Sequence, residues 1–313
     1  MKRSLVKQGP STLMISLPSS WIKKFNLEKG DNIELEEIDN NLVISKDEIR
    51  TKKETTINLS NYTESSIRTL IINAYRSGYD LVNINFQDEK QFQIINNTIN
   101  NYLIGFEIIK KEKNKCIVEN ITEPSENQFE ILFRKILYNI SSLINTTESR
   151  LKNQSSEDYS TNVLKIHQYD NFCRRVLSKR NLYINTTLFW SFLASLIHAQ
   201  RELYHLNKYL DNNKVNFSNF DFILKLKEIF QLLEESYIKK DIKNLEKIHE
   251  LEKKIIYKDF YQLIQKNNKE NIILYHLASS IRNFYLCTSP LLGILLANES
   301  TTSKWTSPEW SVI

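Results

Sequence analysis

The spacing of apolar residues changes period once along this chain, near Glu126, and that change limits the folds open to it. From there Phe129, Leu132, Phe133, Ile136, Leu137, Ile140, Leu143 and Ile144 recur every three or four positions, the spacing of one helix face. The same spacing returns in Val163, Ile166, Cys173 and Leu177, then in Phe189, Phe192, Leu196, Ala199, Leu203, Leu206 and Leu210, then in Ile223, Leu226, Phe230, Leu233 and Tyr237. Two further helices are predicted around Leu245 to Gln265 and Asn271 to Asn298. Six helices divided by the largely polar 211–219 connection predict two three-helix bundles side by side. Five glycines and five prolines in 313 residues leave few chain-breaking sites, which argues against a turn-rich all-β fold or a large Rossmann enzyme.

Before Glu126 the pattern alternates. Ser4 to Lys7 and Thr12 to Leu17 read as strands around a Gln8-Gly9-Pro10 turn. Ser19, Ser20 and Trp21 read as a Ser-capped helix start with Trp21, Ile22 and Phe25 on its apolar face. Ile33 to Ile38 turns at Asp39-Asn40-Asn41 into Leu42 to Ile44. The order β-β-α-β-β over residues 1–50 is too short to bury a core alone, so a homodimer is expected. Residues 51–125 read as a small α/β module. A strand at Thr55 to Leu59 leads to a helix capped by Asn61 and running to about Tyr75. A strand from Leu81 to Phe86, a helix from Glu89 to Leu103 and a hairpin of Phe106 to Lys110 with Cys116 to Ile121 follow. The chain is thus expected to be a multidomain α+β protein: residues 1–50, 51–125 and 126–298 as domains, and 299–313 as a C-terminal tail with Trp305 and Trp310.

Charge points to the N-terminus. Residues 1–30 hold Lys2, Arg3, Lys7, Lys23, Lys24 and Lys29 against Glu28 alone, a local +5 that equals the net charge of the whole chain. Such a segment suits the phosphates of a duplex, the competing reading being solvated lysines that guard a sheet edge. Lys2, Arg3, Lys7, Lys23 and Lys24 are the expected phosphate contacts, with Ser11 and Thr12 as shorter-range donors. His198, Glu202 and His205 fall at i, i+4 and i+7 of one predicted helix and suit a divalent or transition metal, the alternative being a polar flank with Glu202 paired to a nearby base. Asp170 lies on an apolar stripe and needs a partner, for which Arg174, Arg282 or a metal are the candidates. Without G-x-S-x-G, H-E-x-x-H or a P-loop, an enzyme is not expected. Three scattered cysteines, no apolar leader and no membrane-length apolar run are those of a cytoplasmic chain that inserts in no membrane.

The run Lys7-Gln8-Gly9-Pro10-Ser11-Thr12-Leu13, with Ile15-Ser16-Leu17-Pro18, Trp21-Ile22-Lys23-Lys24 and Leu27-Glu28-Lys29-Gly30-Asp31, resembles the AbrB/MazE/SpoVT family of swapped-hairpin DNA-binding domains. That resemblance implies an intertwined dimer that presents its basic residues to DNA. The helix number, the segment Asp170-Asn171-Phe172-Cys173-Arg174-Arg175 and the late run His276 to Asn283 resemble the PhoU family of paired three-helix bundles. Its members typically hold metal clusters in E-x-x-x-D motifs; here the residue four before Asp170 is Ile166. Together the two resemblances imply an archaeal-type phosphate uptake regulator, a dimer that binds DNA and whose helical half senses a signal or partner. The alternative they leave is an interaction protein acting on the ATPase subunit of a phosphate transporter.

Overall fold

The computed structural model describes residues 2–10, 12–38, 41–46, 52–122, 126–152, 157–179, 186–214, 216–265 and 270–299. The fold is α+β, and the chain divides into two compact units, residues 1–51 and 52–313. Ser11, the turn residues Asp39 and Asn40, and the tail beyond Glu299 lie outside the described residues.

The first unit holds two antiparallel hairpins and one short helix. Strands β1 (Val6–Gln8) and β2 (Thr12–Met14) pair with Lys7 opposite Leu13 across a loop whose Gly9 has φ +78°, a conformation that glycine adopts without a Cβ penalty. The second strand is shorter than its alternation suggests, because pairing with β1 runs out at Val6 opposite Met14. Helix α1 (Ser19–Lys24) is capped by Pro18 rather than by a serine, and no side chain bonds its first turn. Strands β3 (Glu34–Ile38) and β4 (Asn41–Ser45) form the second hairpin.

The second unit opens with a four-stranded sheet. Strands β5 (Glu54–Asn58), β6 (Leu81–Asn85), β7 (Phe106–Lys111) and β8 (Lys115–Asn120) stand in the order β5-β6-β8-β7, with β5 parallel to β6 and the other neighbours antiparallel. Helices α2 (Glu64–Arg76) and α3 (Glu89–Tyr102) cross between strands and cover one face. Their apolar stripes, among them Ile67, Ile71, Ile95 and Ile99, close a core with Val82, Ile84, Phe106 and Val118. The cap of α2 is Thr63, whose hydroxyl accepts from the Ser66 N–H at 3.2 Å, and not Asn61; Thr63 is the residue with extended backbone directly before the first helical turn, where a side-chain oxygen can reach the exposed N–H groups. Asp88 plays the same part for α3, accepting from the Gln91 N–H at 2.8 Å.

Helices α4 (Glu126–Leu151), α5 (Ser160–Lys179) and α6 (Thr186–Asn212) pack together, and α7 (Asp221–Lys239), α8 (Lys243–Lys254) and α10 (Asn271–Leu286) form a second group that α6 joins along α10. One apolar core runs through both groups. The connection between them is held by the buried Glu270, whose carboxylate accepts from the Ser218 N–H at 2.7 Å and from the Asn219 amide. Two departures from continuous helix occur. Ile255–Phe260 is a π-helical turn that carries α8 into the short α9 (Tyr261–Ile264). The last predicted helix breaks at Cys287 into α10 and α11 (Thr288–Glu299), because Pro290 has no N–H to give to the preceding turn. No described helix is long and apolar enough to cross a membrane.

The sheet module and the helices meet at α5. Helices α2 and α3 both end against it, so their last carbonyls need donors at a buried place. Arg175, fully buried, donates to the Tyr75 and Tyr79 carbonyls at 3.0 and 2.7 Å and to Asp80 Oδ1 at 2.6 Å, with its guanidinium over the Tyr75 ring. Asn171 Nδ2 donates to the Tyr102 carbonyl at 2.9 Å. In return Arg76 of α2 donates to Asp170 Oδ2 at 2.7 Å and Asn171 Oδ1 at 2.8 Å, while Arg174 donates to Asp170 Oδ1 at 2.8 Å. At Gly78, φ +78°, an added Cβ would lie 2.8 Å from Lys179 Cγ, so the turn before β6 needs glycine both for its backbone and for the approach of α5.

Two groups give this seam a pH dependence. Burial lowers the His167 pKa to about 4, with Arg201, Arg76 and Arg68 adding to the effect against Asp170. Burial pushes the Asp80 carboxyl upward, but hydrogen bonds from Lys179 and the Lys53 N–H, with the charges of Lys179 and Arg175, outweigh it and hold the pKa below the ordinary value. A histidine that resists protonation loses stability for the fold as pH drops from 6.5, where the unfolded ring takes its proton, toward about 4. A carboxylate held low loses its contribution only further down, from about pH 4 through its folded value. His167→Gln should therefore flatten the upper part of the acid profile and Asp80→Asn the lower part in urea unfolding followed against pH. At neutral pH, Arg175→Met should cost about 3 kcal/mol by uncovering Asp80 and two carbonyls. Arg134→Ala, whose partner Glu130 is on an open helix face, should cost under about 1 kcal/mol.

Candidate nucleic-acid interface

The basic segment lies in the first unit, and its side chains are open to solvent. Lys2, Arg3, Lys7, Thr12, Lys23 and Lys24 are all exposed. The β1–β2 register divides them: Lys7 and Leu13 share one face of the ribbon, whereas Thr12 projects with Val6, Gln8 and Met14 on the other. A single flat surface cannot engage Lys7 and Thr12 together through this hairpin. Lys23 and Lys24 occupy the last turn of α1, where positive charge also favours the helix C-terminus, and Lys24 lies 5.4 Å from the centre of the Phe25 ring.

Charge within the unit is strongly segregated. Against the +5 of residues 1–30, residues 31–51 carry Asp31, Glu34, Glu36, Glu37, Asp39, Asp47 and Glu48 with only Lys46 and Arg50, a balance of −5. The unit as a whole is therefore neutral, and the net +5 of the chain resides in residues 52–313. Of the bases, Lys7 lies on β1, Lys2 and Arg3 precede it, Lys23 and Lys24 end α1 and Lys29 follows it, whereas Glu34, Glu36 and Glu37 lie on β3.

The apolar side chains of this unit are not covered. Among its described residues none is buried, and Leu13 at 61%, Leu5 at 63%, Leu35 at 58% and Leu42 at 58% keep more than half of their surface open. Leu17, Ile22, Leu27 and Ile33 line an open cleft together with Glu28, Lys29 and Asp31.

The other candidate residues lie in the second unit. Among the described residues, no group of three or more His, Cys, Asp or Glu is placed to hold a metal ion. His198 and His205 are exposed on α6, and Glu202 between them accepts from or shares a proton with His276 Nδ1 of α10 at 2.8 Å. The His205 and His276 rings stack with centroids 6.3 Å apart. Glu202 thus pairs across helices with a residue that spacing along α6 alone does not reveal. Asp170 is completely buried, and each of its oxygens accepts from a guanidinium. Arg174 is the partner expected one turn away; Arg282 instead pairs with the buried Glu252, and Arg76 takes the remaining place on Asp170.

Comparison with known proteins locates one similarity. A family model described as "Antidote-toxin recognition MazE, bacterial antitoxin" matches residues 6–54, the two hairpins and the first residue of β5. No curated protein and no solved structure matches the chain.

An uncovered apolar surface of this extent is of the kind that association covers. Trp21, half-buried on α1, reports on it. In the full-length protein with Trp190, Trp305 and Trp310 replaced by phenylalanine, its fluorescence transition should move to higher temperature as protein concentration rises from about 0.1 to about 10 μM. A Trp21 transition independent of concentration would contradict that dependence.

Proposed function

We propose that this protein is a dimeric DNA-binding regulator that holds the duplex with the first hairpins of two chains. The observation that carries the reading is the pairing, in one MazE-like unit, of an open apolar surface with a basic hairpin. A second copy supplies the missing core, and the dimer then carries Lys2, Arg3 and Lys7 twice. Lysine and arginine on strands position phosphates, which sets register and affinity but not sequence. Lys7 and Thr12 project from opposite sides of the ribbon, so a flat duplex face engages one of them and not both.

The helical half takes the part of receiver. Its resemblance to PhoU proteins makes phosphate supply the signal and phosphate-transport genes the targets, with the cytoplasm as the place of action. The chain works by binding and not by catalysis. Its thiols are poor nucleophiles: burial pushes the Cys116 pKa up to about 11 and raises Cys173 and Cys287 well above the ordinary value. One observation favours a second reading, in which the protein acts on a transporter ATPase subunit and the hairpin unit only assembles it. That observation is the neutral total charge of the unit, since eight carboxylates in residues 1–51 match its eight bases. The name of the matching family offers a third reading, neutralisation of a toxin, for which the long helical half has no evident use.

Fluorescence anisotropy separates these readings. The full chain should bind duplex DNA with an affinity that falls steeply with salt, and more tightly on DNA upstream of phosphate-transport genes than on a random duplex. Replacing Lys2, Arg3 and Lys7 together by alanine should reduce the slope of log K against log salt by roughly 3 to 5, given about 0.9 per phosphate contact and two chains. An unchanged slope would move the contact away from the first hairpin.

A further inference from the structure

The two edges of the four-stranded sheet are not alike. The β7 edge carries a bulge between Ile108 and Lys110 and the side chains of Lys110 and Lys111, features that discourage another strand from adding there. The β5 edge has none of these. Glu54–Asn58 pairs with β6 in unbroken register, and no lysine, proline or bulge interrupts it.

Alternation shows what this edge offers. The Lys53 carbonyl accepts from the Leu81 N–H at 3.2 Å, and the Leu59 N–H donates to the Asn85 carbonyl at 2.8 Å. The odd-numbered residues of β5 therefore bond to β6, and Glu54, Thr56 and Asn58 turn their N–H and C=O groups to the open side. All three residues are exposed.

We infer that β5 pairs antiparallel with β5 of a second copy about Thr56, joining two modules into one continuous sheet. A strand related to itself by a two-fold axis pairs in this way, and the register about Thr56 is chemically matched. Glu54 of each chain then faces Asn58 of the other. Asn58 Oδ1 already accepts from Asn85 Nδ2 at 2.7 Å, which leaves its own amide as donor toward the Glu54 carboxylate. Lys52 falls opposite Ser60, so no like charges meet. The inference rests on the dimer proposed above in one respect. Strand β5 begins three residues after the first unit ends at Thr51, so association of two first units brings the second β5 to high local concentration.

The test is a cysteine at the centre of the pairing. The native cysteines Cys116, Cys173 and Cys287 are buried and do not compete. In the hydrogen-bonded pair the two residue-56 Cα atoms would stand about 5.5 Å apart, within the range a disulfide spans. Mild oxidation of the full-length Thr56→Cys protein should give mostly a covalent dimer. Ile109→Cys on the β7 edge should give none. Thr56→Pro gives up no bond to β6, because that N–H faces the open edge. It should weaken dimerisation by roughly tenfold or more in sedimentation analysis and leave the helical melting transition in place. A stable dimer that forms no disulfide through residue 56, with Thr56→Pro dimerising as tightly as the parent, overturns the edge pairing and leaves the hairpin dimer standing. A chain that remains monomeric at micromolar concentration overturns both.

Discussion

Two helix C-termini that end inside the second unit set its architecture. The last carbonyls of α2 and α3 face α5 and not water, and a buried carbonyl without a donor costs as much as a lost hydrogen bond. Helix α5 meets them with Arg175 and Asn171, and the sheet module answers with Asp80 and Arg76. Each side supplies both a cation and a carboxylate, so neither is satisfied without the other. A motif such as Asp170 to Arg175 can then be strongly specified by docking alone, with no ligand to hold. The positive ends of those side chains also oppose the negative ends of two helix dipoles, which accounts for why bases outnumber carboxylates at the seam.

The first unit presents the opposite case. Its local chemistry is complete: a glycine where the loop needs a positive φ, alternating strands, and a helix that ends at Phe25 with Asn26 left-handed at φ +48°. Its packing is not, because some fifty residues cannot enclose a core. Stability there must come from another surface. The second unit, with one apolar core through both helical groups, folds within a single chain.

Much of the helical region could be read from spacing, because a stripe such as Phe129 to Ile144 is long and its burial is one-sided. Strand and helix bounds in the module were legible to within a residue or two. The side-chain pairs that spacing does not reveal have partners far along the chain. Arg175 meets Asp80 across 95 positions and Glu202 meets His276 across 74, and no local pattern announces either pair. Asp170 with Arg174 was visible because the two are one turn apart on one helix. Thr63 displaced Asn61 as a cap because which polar residue takes extended backbone before a helix is settled by the loop. The break at Cys287 was available from Pro290. Lys7 and Thr12 were grouped by charge and polarity, although the loop through Gly9 and Pro10 already puts them on opposite faces.

The segregation of charge in the first unit has an effect on how it meets other molecules. The net +5 of residues 1–30 and the net −5 of residues 31–51 cancel when seen from farther away than the width of the unit. In physiological salt, where fields decay over about 8 Å, a passing polyanion is neither drawn in nor pushed away until it is almost in contact. Orientation then decides everything: one approach meets attraction, the reverse meets repulsion. Such a surface selects encounters by pose and not by range, and it leaves the long-range pull to the net positive remainder of the chain.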